Sequence, residues 1–418
     1  MKSRRRTIAI GIGMLVLVFL LGDAFLASAR ETIKIGTATA LTGPGATFGI
    51  ATRRGAEIAV EEINAKGGVK GRKLELVVRD DEHNPVKTVA LKRELVEREK
   101  VVALLGASNS ASMLAVAPII NDELKIPIIA PGTEATKIVE NEAWEKGRDN
   151  YVFRYGMFGR GQANFLVDMA IKRFGYKRPA LVTWTGGWGV TGRGELNRRI
   201  GEIGMKPVVD ITYDTGDTDM TPQLMRVREN KADVILNYGI VRDNVYMVRT
   251  KDKIGDKTPY FSAWGIASPA FWRAAGELAE GVVVSTTITA DGPQPPERME
   301  FLKKYWVRYG KEMEVVWGTF GAYDIVHLLA LVMDRVGTDP KAIREGLENI
   351  PYFKGLVKEF KRPVFTRTRH DALMEEDFIL CRFTDGQQLQ IHFDAEGPFV
   401  ILEGGTKRYI DKATLALK

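Results

Sequence analysis

The chain has 418 residues, a formal net charge of +7 at pH 7 and a single cysteine. One cysteine can form no internal disulfide, so the fold depends on a hydrophobic core, and a hydrophobic content of 45% is ample for one. Basic and acidic residues are interspersed without a long run of either, which argues against a nucleic-acid groove or a membrane-binding patch. The length predicts two or three domains, and the charge pattern predicts no nucleic-acid partner.

The N-terminus has the pattern of a secretory signal peptide. Lys2 and the arginines at 4–6 precede an uncharged apolar run at 8–22, and Ala27-Ser28-Ala29 is a small-residue cleavage site. These 15 apolar residues fall short of the roughly 20 that span a bilayer. We therefore expect residues 1–29 to be removed after Ala29, and no lipid attachment because no cysteine follows the site.

After the signal peptide, strand and helix patterns alternate. The first elements are predicted as strands at 32–40 and 74–79 and helices at 52–64 and 85–98. The glycine-rich loop at 41–49 follows the first strand and is predicted to face a cleft. The carboxylates at 80–82 end the second strand, where we expect them to hydrogen-bond a loop, with metal binding as the weaker alternative.

The stretch at 101–136 organises the first half of the chain. A buried strand at 101–105, a polar loop at 106–110, a helix at 111–123 and a strand at 126–130 lead into a second polar loop. Ligands of open α/β sheets bind beyond the carboxyl ends of the strands. The residues placed to hold a carboxylate there are Ser108, Asn109, Ser110, Thr133 and Thr136. The alternative is that these side chains cap helices and form turns.

A second strand and helix series begins after Tyr151. We predict that the chain passes to a second domain near 151–155, returns near Thr286, and ends in strands that rejoin the second domain. The fold class is therefore α/β with two doubly wound lobes. The predicted lobes are 30–153 with 286–360, and 154–285 with 361–418.

The segment Gly187-Trp188-Gly189-Val190-Thr191-Gly192 matches the dinucleotide pattern GxGxxG, and Asp210 or Asp214 follows at the spacing of a ribose-binding acid. The Trp188 indole would project where the backbone must approach a pyrophosphate. We therefore favour a glycine-rich turn that presents Trp188 to the cleft, and a nucleotide-cofactor enzyme remains the alternative.

No other segment predicts catalysis. The four histidines lack metal-ligand spacing, Cys381 lies in a predicted strand, and the segment at 106–110 has Ser110 where a GxSxG elbow needs glycine. We predict no catalytic residue, no metal and no cofactor. Aromatic and glycine-rich loops instead indicate a pocket that encloses a small molecule without transforming it.

Seven short segments carry a family resemblance. They are Leu41-Thr42-Gly43-Pro44, 61–71 (EEINAKGGVKG), Asp80-Asp81 with Pro85, Gly106 with Asn109-Ser110, Tyr151-Val152-Phe153-Arg154, Ala279-Glu280-Gly281 and Tyr323-Asp324. In their order and spacing they resemble the periplasmic amino-acid-binding proteins of branched-chain amino acid ABC transporters, over almost the whole mature chain. The resemblance implies a type I binding-protein fold with three crossover strands, whose lobes close on a ligand like a Venus flytrap.

The same resemblance implies a function and a location. The protein would be a periplasmic monomer that hands a small carboxylate ligand to an inner-membrane ABC permease. A ligand-sensing module is an alternative, because lobe closure would serve it equally well.

The family's site residues fall on named positions. Those that hold the ligand carboxylate fall on Ser110 and on the loop from Gly132 to Thr136, and the cleft aromatics fall on Phe48, Trp188 and Phe320. The acid that receives the ligand ammonium in the best-known members falls on Trp264. This departure favours an aromatic or branched aliphatic acid as the ligand, with a branched-chain or other hydrophobic amino acid, the family's prevailing substrate, as the alternative. Other acceptors considered for an ammonium are Asp80, Asp81 and Asp324.

Overall fold

A parallel five-stranded sheet forms the first lobe, in the order β2-β1-β3-β4-β5. The computed structural model describes residues 32–43, 45–107 and 109–418, so the predicted signal peptide and its cleavage site lie outside the described residues. The strands are β1 (Ile33–Thr39), β2 (Leu74–Asp80), β3 (Ala103–Leu105), β4 (Ile128–Ala130) and β5 (Val152–Arg154). The helices between them are α1 (Ala46–Ala65), α2 (Pro85–Glu97), α3 (Ser110–Ile119) and α4 (Glu142–Glu145).

Local sequence signals start these helices where the sheet needs them. The Asn84 side chain accepts hydrogen bonds from the backbone N–H groups of Val86 and Lys87, and Pro85 occupies the first turn of α2. Helix α3 continues as a π-helical turn, Ile120–Leu124, which ends at Lys125 in the left-handed conformation. Strand β3 is buried throughout, as a central strand of a sheet covered on both faces must be.

The second lobe repeats this topology. Its strands are β6 (Pro179–Trp184), β7 (Val209–Tyr213), β8 (Val234–Asn237), β9 (Tyr260–Ser262) and β10 (Val283–Thr286). Its helices are α5 (Gly159–Asp168), α6 (Gly187–Glu202), α7 (Thr221–Glu229), α8 (Val241–Lys253) and α9 (Pro269–Ala275). The parallel order β7-β6-β8-β9-β10 matches that of the first sheet strand for strand. The strand order reverses beside β1 and beside β6, which are the points where open sheets bind ligands.

The rest of the chain completes both lobes. Its helices are α10 (Pro296–Tyr309), α11 (Val316–Val336) and α12 (Pro340–Leu347). Its strands are β11 (Phe353–Lys354), β12 (Glu359–Phe360), β13 (Ile379–Thr384), β14 (Gln387–Gln390), β15 (His392–Phe393), β16 (Pro398–Ile401) and β17 (Lys407–Tyr409). Strands β13 and β14 extend the second sheet in antiparallel fashion beyond β10.

Helix α11 forms the core of the first lobe by packing along α1. Among the described residues it is the helix long and apolar enough to cross a membrane by length and composition, yet 83% of its apolar window is buried inside the protein. Burial of this kind is what a core helix of a large α/β lobe requires.

The chain passes between the lobes three times, after β5, after β10 and between β12 and β13. The first and third passages lie side by side, because the Arg154 N–H donates to the His370 carbonyl and the Ala372 N–H donates to the Arg154 carbonyl. The structure confirms the predicted α/β class with two doubly wound lobes. The residue limits of the lobes stay a prediction.

Candidate ligand-binding cleft

Two loops of the first lobe meet at the carboxyl edge of its sheet. One follows β3 and leads into α3, and the other follows β4. They are joined by Ser110, whose Oγ accepts hydrogen bonds from the backbone N–H groups of Glu134 at 3.2 Å and Ala135 at 3.4 Å. With its oxygen engaged in this way, the Ser110 hydroxyl keeps its proton for another acceptor.

A buried hydrogen-bond network fixes the start of α3. The Asn109 Oδ1 accepts from the Ser112 N–H at 2.7 Å, and its Nδ2 donates to Ser112 Oγ at 3.1 Å. The Thr88 hydroxyl lies 2.9 Å from both Ser112 Oγ and Asp81 Oδ2. Asn109 was predicted to contact the ligand, but here its side chain caps the helix, the alternative that the sequence left open. Ser108 lies outside the described residues.

The loop after β4 contains buried polar atoms that have no protein partner. Thr133 and Glu134 are 2% and 4% exposed, and neither Thr133 Oγ1 nor Glu134 Oε1 has a hydrogen-bond partner in the described part of the chain. Leaving a buried polar atom unpaired costs about 1–3 kcal/mol, so a molecule that formed hydrogen bonds with these atoms would recover that cost. Thr136 begins a 3-10 turn, Thr136–Ile138, and is half-buried.

Gly132 allows an aromatic ring to lie directly on this loop. A Cβ atom at this position would lie 1.9 Å from the Trp317 ring, so any other residue would displace the indole. Gly132 therefore shapes the cleft through the ring that it admits.

Glu134 links the two lobes. Its Oε2 accepts a hydrogen bond of 2.7 Å from the Trp188 indole N–H, which belongs to the second lobe. Burial raises the pKa of Glu134 to about 8, although the Trp188 hydrogen bond and the nearby Arg154 guanidinium both act to lower it. The sequence analysis did not select Glu134.

Arg154 fixes the backbone around Glu134. Its Nη1 donates to the carbonyl oxygens of Thr133, Glu134 and Ala135, at 3.3, 2.9 and 3.1 Å. The carboxylate of Asp371, on the third passage between the lobes, accepts hydrogen bonds from Arg154 Nε at 2.5 Å and from Arg154 Nη2 at 3.2 Å. The guanidinium is 1% exposed, so this loop is held by a buried cation at the hinge.

Aromatic rings from both lobes meet opposite the polar loops. Trp264, which starts the turn after β9, stacks on Trp317 of the first lobe with ring centroids 4.1 Å apart and planes at 19°. Phe48, in the first turn of α1, lies 5.8 Å from Trp317, and Trp188 lies 5.2 Å from the Tyr238 ring. Trp264 is therefore packed at the contact between the lobes rather than inside one of them.

The structure corrects the assignment of Phe320 to the cleft. Phe320 is fully buried inside the first lobe, 4.9 Å from the Phe301 ring. Trp317 stands one turn earlier on α11 and takes the cleft position. Helix α11 starts at Val316, which places its first turn, with Trp317, at the cleft.

The three aspartates considered as ammonium acceptors are engaged elsewhere. Asp80 accepts from the Leu41 N–H at 2.9 Å and the Thr42 hydroxyl at 2.7 Å, which is the predicted role in holding a loop. Asp324 accepts from two backbone N–H groups and from the Tyr155 hydroxyl. Asp81 accepts from the backbone N–H of residue 83 and faces Thr88. None of the three is free to bind a ligand.

The GxGxxG segment is helical. Helix α6 starts at Gly187, so the prediction of a glycine-rich turn at this segment is wrong. Trp188 nevertheless points into the cleft, where its indole N–H bonds to Glu134. A Cβ on Gly189 would lie 2.1 Å from the Trp184 carbonyl oxygen, so this glycine lets α6 pack against β6. The close packing of α6 on β6 accounts for Gly189, so no bound pyrophosphate is needed to explain this glycine.

Other features of the described residues lie away from the cleft. Cavities of about 240 and 330 Å³ open beside Lys251 and beside Arg344, respectively. No group of three or more His, Cys, Asp or Glu side chains in the described ranges could hold a metal ion. Cys381 is buried, and burial raises the pKa of its thiol to about 12, so it is not a reactive thiolate.

Comparison with known proteins identifies what this architecture resembles. Residues 32–388 match the family model described as periplasmic binding protein. The chain is 26% identical over 359 residues to Leu/Ile/Val-binding protein homolog 2 of Brucella abortus, covering 84% of this chain and 90% of that protein.

Two solved structures share the fold. The substrate-binding protein LivJ of Streptococcus pneumoniae, in complex with isoleucine, has a TM-score of 0.73 and 22% identity, with 89% of this chain and 99% of that chain covered. An ABC transporter solute-binding protein of Rhodopseudomonas palustris, in complex with 3,4-dihydroxybenzoic acid, has a TM-score of 0.72 and 20% identity, with 90% and 100% covered. The likeness confirms the predicted type I binding fold. The matched proteins are binding proteins rather than enzymes, as the sequence predicted.

Proposed function

This chain belongs to the periplasmic binding protein family, and we propose that it is the solute-binding component of an ABC uptake transporter. It would act in the periplasm as a monomer and deliver its ligand to an inner-membrane permease. The ligand we propose is a small molecule with a carboxylate and an apolar or aromatic body, held between the two lobes.

The observation that carries this proposal is the pairing of unsatisfied polar atoms with aromatic rings in one closed cleft. Thr133 Oγ1 and Glu134 Oε1 are buried without partners among the described residues. From the second lobe, the Trp188 indole bonds to Glu134 and the Trp264 indole stacks on Trp317. A ligand that supplied the missing hydrogen bonds would recover the cost of burying these atoms. Few convergent polar groups in an apolar setting are typical of small-molecule sites.

The first lobe is equipped for a carboxylate. The Ser110 hydroxyl has a proton to donate, and Thr133 Oγ1 adds a second hydroxyl, which has no partner in the part of the chain that the structure describes. Both lie near the N-terminus of α3, where the helix dipole and free N–H groups favour negative charge. The proposed carboxylate would bind to these groups.

The second lobe is equipped for an apolar body. Trp264 presents an indole face that now stacks on Trp317, and a flat or branched apolar group would pack on the same faces. The two structural neighbours contain isoleucine and 3,4-dihydroxybenzoic acid, so proteins with this fold hold both branched aliphatic and aromatic bodies. We propose either kind of body for this chain.

Ligand binding would favour lobe closure, because the ligand contacts both lobes only when they meet. A ligand shifts a two-state equilibrium by its difference in affinity for the two forms. Three kinds of contact in the described part of the chain join the lobes directly. The ion pair between Arg273 of α9 and Glu314 before α11 is half-exposed and contributes at most about 1 kcal/mol, whereas the Trp188–Glu134 hydrogen bond and the Trp264–Trp317 stack are buried. A ligand that contacts both lobes would add to these contacts in the closed form.

Identification of the ligand tests the proposal. Mass spectrometry of what is released on denaturation, followed by a thermal-shift panel of aliphatic amino acids, keto acids and aromatic acids on the refolded protein, should single out one chemical class. The bound compound should be recovered unchanged, and small-angle scattering should show a smaller radius of gyration with it. Conversion of the compound to a product, or tight binding without compaction, would contradict the proposal.

A further inference from the structure

A cavity of about 330 Å³ opens beside α12, away from the cleft. Its wall is formed by the segment that links α4 to β5, by α12, and by the third passage between the lobes, which contribute Arg148, Arg344 and His370, respectively. All of the residues that line it lie outside the sheet and helices of the second lobe, so the cavity does not depend on lobe closure. Its volume lies at the lower end of the range for small-molecule sites.

The His370 ring is held between two hydrogen-bond acceptors. Its Nδ1 lies 2.9 Å from the Val152 carbonyl oxygen, and its Nε2 lies 3.1 Å from Glu348 Oε1. The same Glu348 oxygen accepts a hydrogen bond of 2.9 Å from Arg344 Nη1, as an ionised carboxylate beside a guanidinium does. A carbonyl group and a carboxylate can only accept hydrogen bonds, so both ring nitrogens of His370 donate. The ring is therefore the cationic imidazolium.

Positive charge exceeds negative charge along the wall of this cavity. Arg344 and His370 are each 2% exposed and share Glu348, which is the one carboxylate among the lining residues. The Arg344 Nε is also buried and has no hydrogen-bond partner in the described part of the chain. Arg148 and Arg367, with side chains 45% and 63% exposed, line the rim. Four cationic groups around one carboxylate favour an anion, because buried cations need compensating charge.

The acidic residues outside the wall hold these arginines only weakly. Asp149 lies 3.4 Å from both Arg344 Nη2 and Arg367 Nη1, at the long end of the hydrogen-bond range, and its side chain is 43% exposed. The other carboxylates paired with the lining arginines are similarly exposed, at 45% and 51%, and belong to Asp122 and Glu345. Exposed ion pairs contribute at most about 1 kcal/mol each, so an incoming anion can take over these donors.

We propose that this cavity is a second ligand site, which binds a phosphate group as the free ion or as a small monoester. A guanidinium presents parallel N–H donors that match two oxygens of a phosphate group. The two charges of that group suit several arginines better than a single carboxylate does. The Trp144 ring forms part of the wall, 5.5 Å from the His370 ring, and the organic group of a monoester would pack on it. This site is separate from the cleft and takes a different chemical class, so it goes beyond the proposed function.

The imidazolium of His370 gives this site a pH dependence. Its ring stacks on Phe153 at 4.0 Å between centroids and meets Trp144 edge-on, so the charged groups that bond to or flank it are Glu348 and Arg344. Loss of the ring proton removes a buried cation, and the affinity for a dianion should therefore fall as the pH rises. Sulfate is the probe for this profile because its charge is constant, whereas a phosphate monoester titrates near pH 6.

Calorimetry at constant ionic strength tests the site. Sulfate, inorganic phosphate and phenyl phosphate would be titrated at pH 6 into the wild-type protein and into Arg367→Ala, which removes an exposed arginine of the rim. Arg226→Ala removes an exposed arginine of α7 in the second lobe and is the matched control. Ser110→Ala is included because the proposed carboxylate site in the cleft could also attract an anion.

The wild-type protein, Arg226→Ala and Ser110→Ala should bind the anions alike, and Arg367→Ala should bind them roughly 3–10-fold more weakly. Asp149→Asn removes the carboxylate that competes for Arg367, so it should bind sulfate about threefold more tightly than the wild-type protein. Damage to the fold would not produce such an increase. Tighter binding of phenyl phosphate than of phosphate would identify a monoester as the ligand, and equal binding would identify the free ion.

Three results would overturn the proposal. One is the absence of binding of all three anions by the folded wild-type protein at millimolar concentration, and another is an unchanged affinity in Arg367→Ala. The third is binding that Ser110→Ala loses and Arg367→Ala keeps, which would place the anion in the cleft. A flat sulfate affinity between pH 6 and 8.5 would overturn the role of His370. The proposed function concerns a ligand in the cleft and would survive the first two results and the flat profile.

Discussion

The two lobes share the order of their five parallel strands, but the polar groups of the cleft come from the first lobe, while both lobes contribute aromatic rings. The loops after β3 and β4 in the first lobe carry Ser110, Thr133 and Glu134, which offer hydroxyl groups and a carboxylate. The corresponding edge of the second lobe carries the indoles of Trp188 and Trp264. The shared strand order thus provides two loop positions. In the proposed function the first lobe would bind the polar head group of the ligand and the second lobe would cover its body.

This division has a physical basis. Buried polar groups keep their geometry only where surrounding hydrogen bonds hold the backbone, and the first lobe has such support in Arg154 and in the network below α3. Planar rings need no such support to cover a ligand and exclude water. The second lobe, with its indoles, can therefore close over a ligand. The first lobe meanwhile keeps its polar groups in a fixed arrangement, because Arg154 and the network below α3 hold its loops.

The largest expected effect comes from breaking the support of the first lobe. Arg154→Ala would leave three carbonyl oxygens and the Asp371 carboxylate without their buried donor, at a cost of about 3–5 kcal/mol in the free energy of unfolding. Urea denaturation measures this. Arg160→Ala, which removes a half-exposed arginine 3.7 Å from Glu195, is the control and should cost less than about 1 kcal/mol. If both substitutions lowered the free energy of unfolding equally, Arg154 would stabilise the first lobe no more than an exposed arginine does.

Removing the main ring of the second lobe should cost somewhat less, and should act on binding. Trp264→Ala deletes the indole that stacks on Trp317, so we expect ligand binding to weaken by about 2–4 kcal/mol. Calorimetry with the ligand identified by mass spectrometry measures the change. Trp306→Ala removes an indole that is 57% exposed on α10 and should leave affinity unaltered. If Trp264→Ala bound the ligand with unchanged affinity, other groups of the second lobe would have to contact the ligand.

Removing one hydroxyl from the first lobe should have an intermediate effect. Ser110→Ala deletes the donor proposed for the ligand carboxylate, and we expect binding to weaken by about 1–3 kcal/mol. The stability of the free protein should change little, because the N–H groups of Glu134 and Ala135 lie 3.2 and 3.4 Å from Ser110 Oγ, at the long end of the hydrogen-bond range. Unchanged affinity would show that Ser110 only positions the second loop.

The smallest expected effect separates capping from binding. Asn109→Ala removes the cap of α3 and should lower the free energy of unfolding by about 1 kcal/mol, which thermal denaturation detects. Affinity should fall less than in Ser110→Ala, since the Asn109 side chain is engaged with Ser112. A loss of affinity as large as that of Ser110→Ala would place Asn109 in contact with the ligand.

Local patterns predicted the α/β fold. The buried strand and polar loop at 101–110 are close together in the chain, so one sequence was enough to predict a binding edge on the first lobe, which stays a prediction. Trp264 was selected through the family resemblance and not through a local pattern.

The residues that were missed depend on distant contacts. Glu134 resembles an ordinary loop carboxylate in the sequence, and it is buried only because Trp188 comes over it from another lobe. Trp317 and Phe320 are one turn apart on α11, so selecting the right ring required the exact phase of the helix and the position of α1. A short stretch of sequence shows neither which residues become buried when the lobes meet nor which side of a helix faces the cleft.

A crossed calorimetric measurement tests most directly whether the lobes divide the ligand. 3-Phenylpropanoate, 3-phenylpropan-1-ol and propanoate would be titrated into the wild-type protein, Ser110→Ala and Trp264→Ala, so that one pair of ligands differs in the head and another in the body. The account predicts that Ser110→Ala reduces the preference for 3-phenylpropanoate over 3-phenylpropan-1-ol but keeps its preference over propanoate, and that Trp264→Ala does the reverse. Equal weakening of all three ligands by both variants would contradict it.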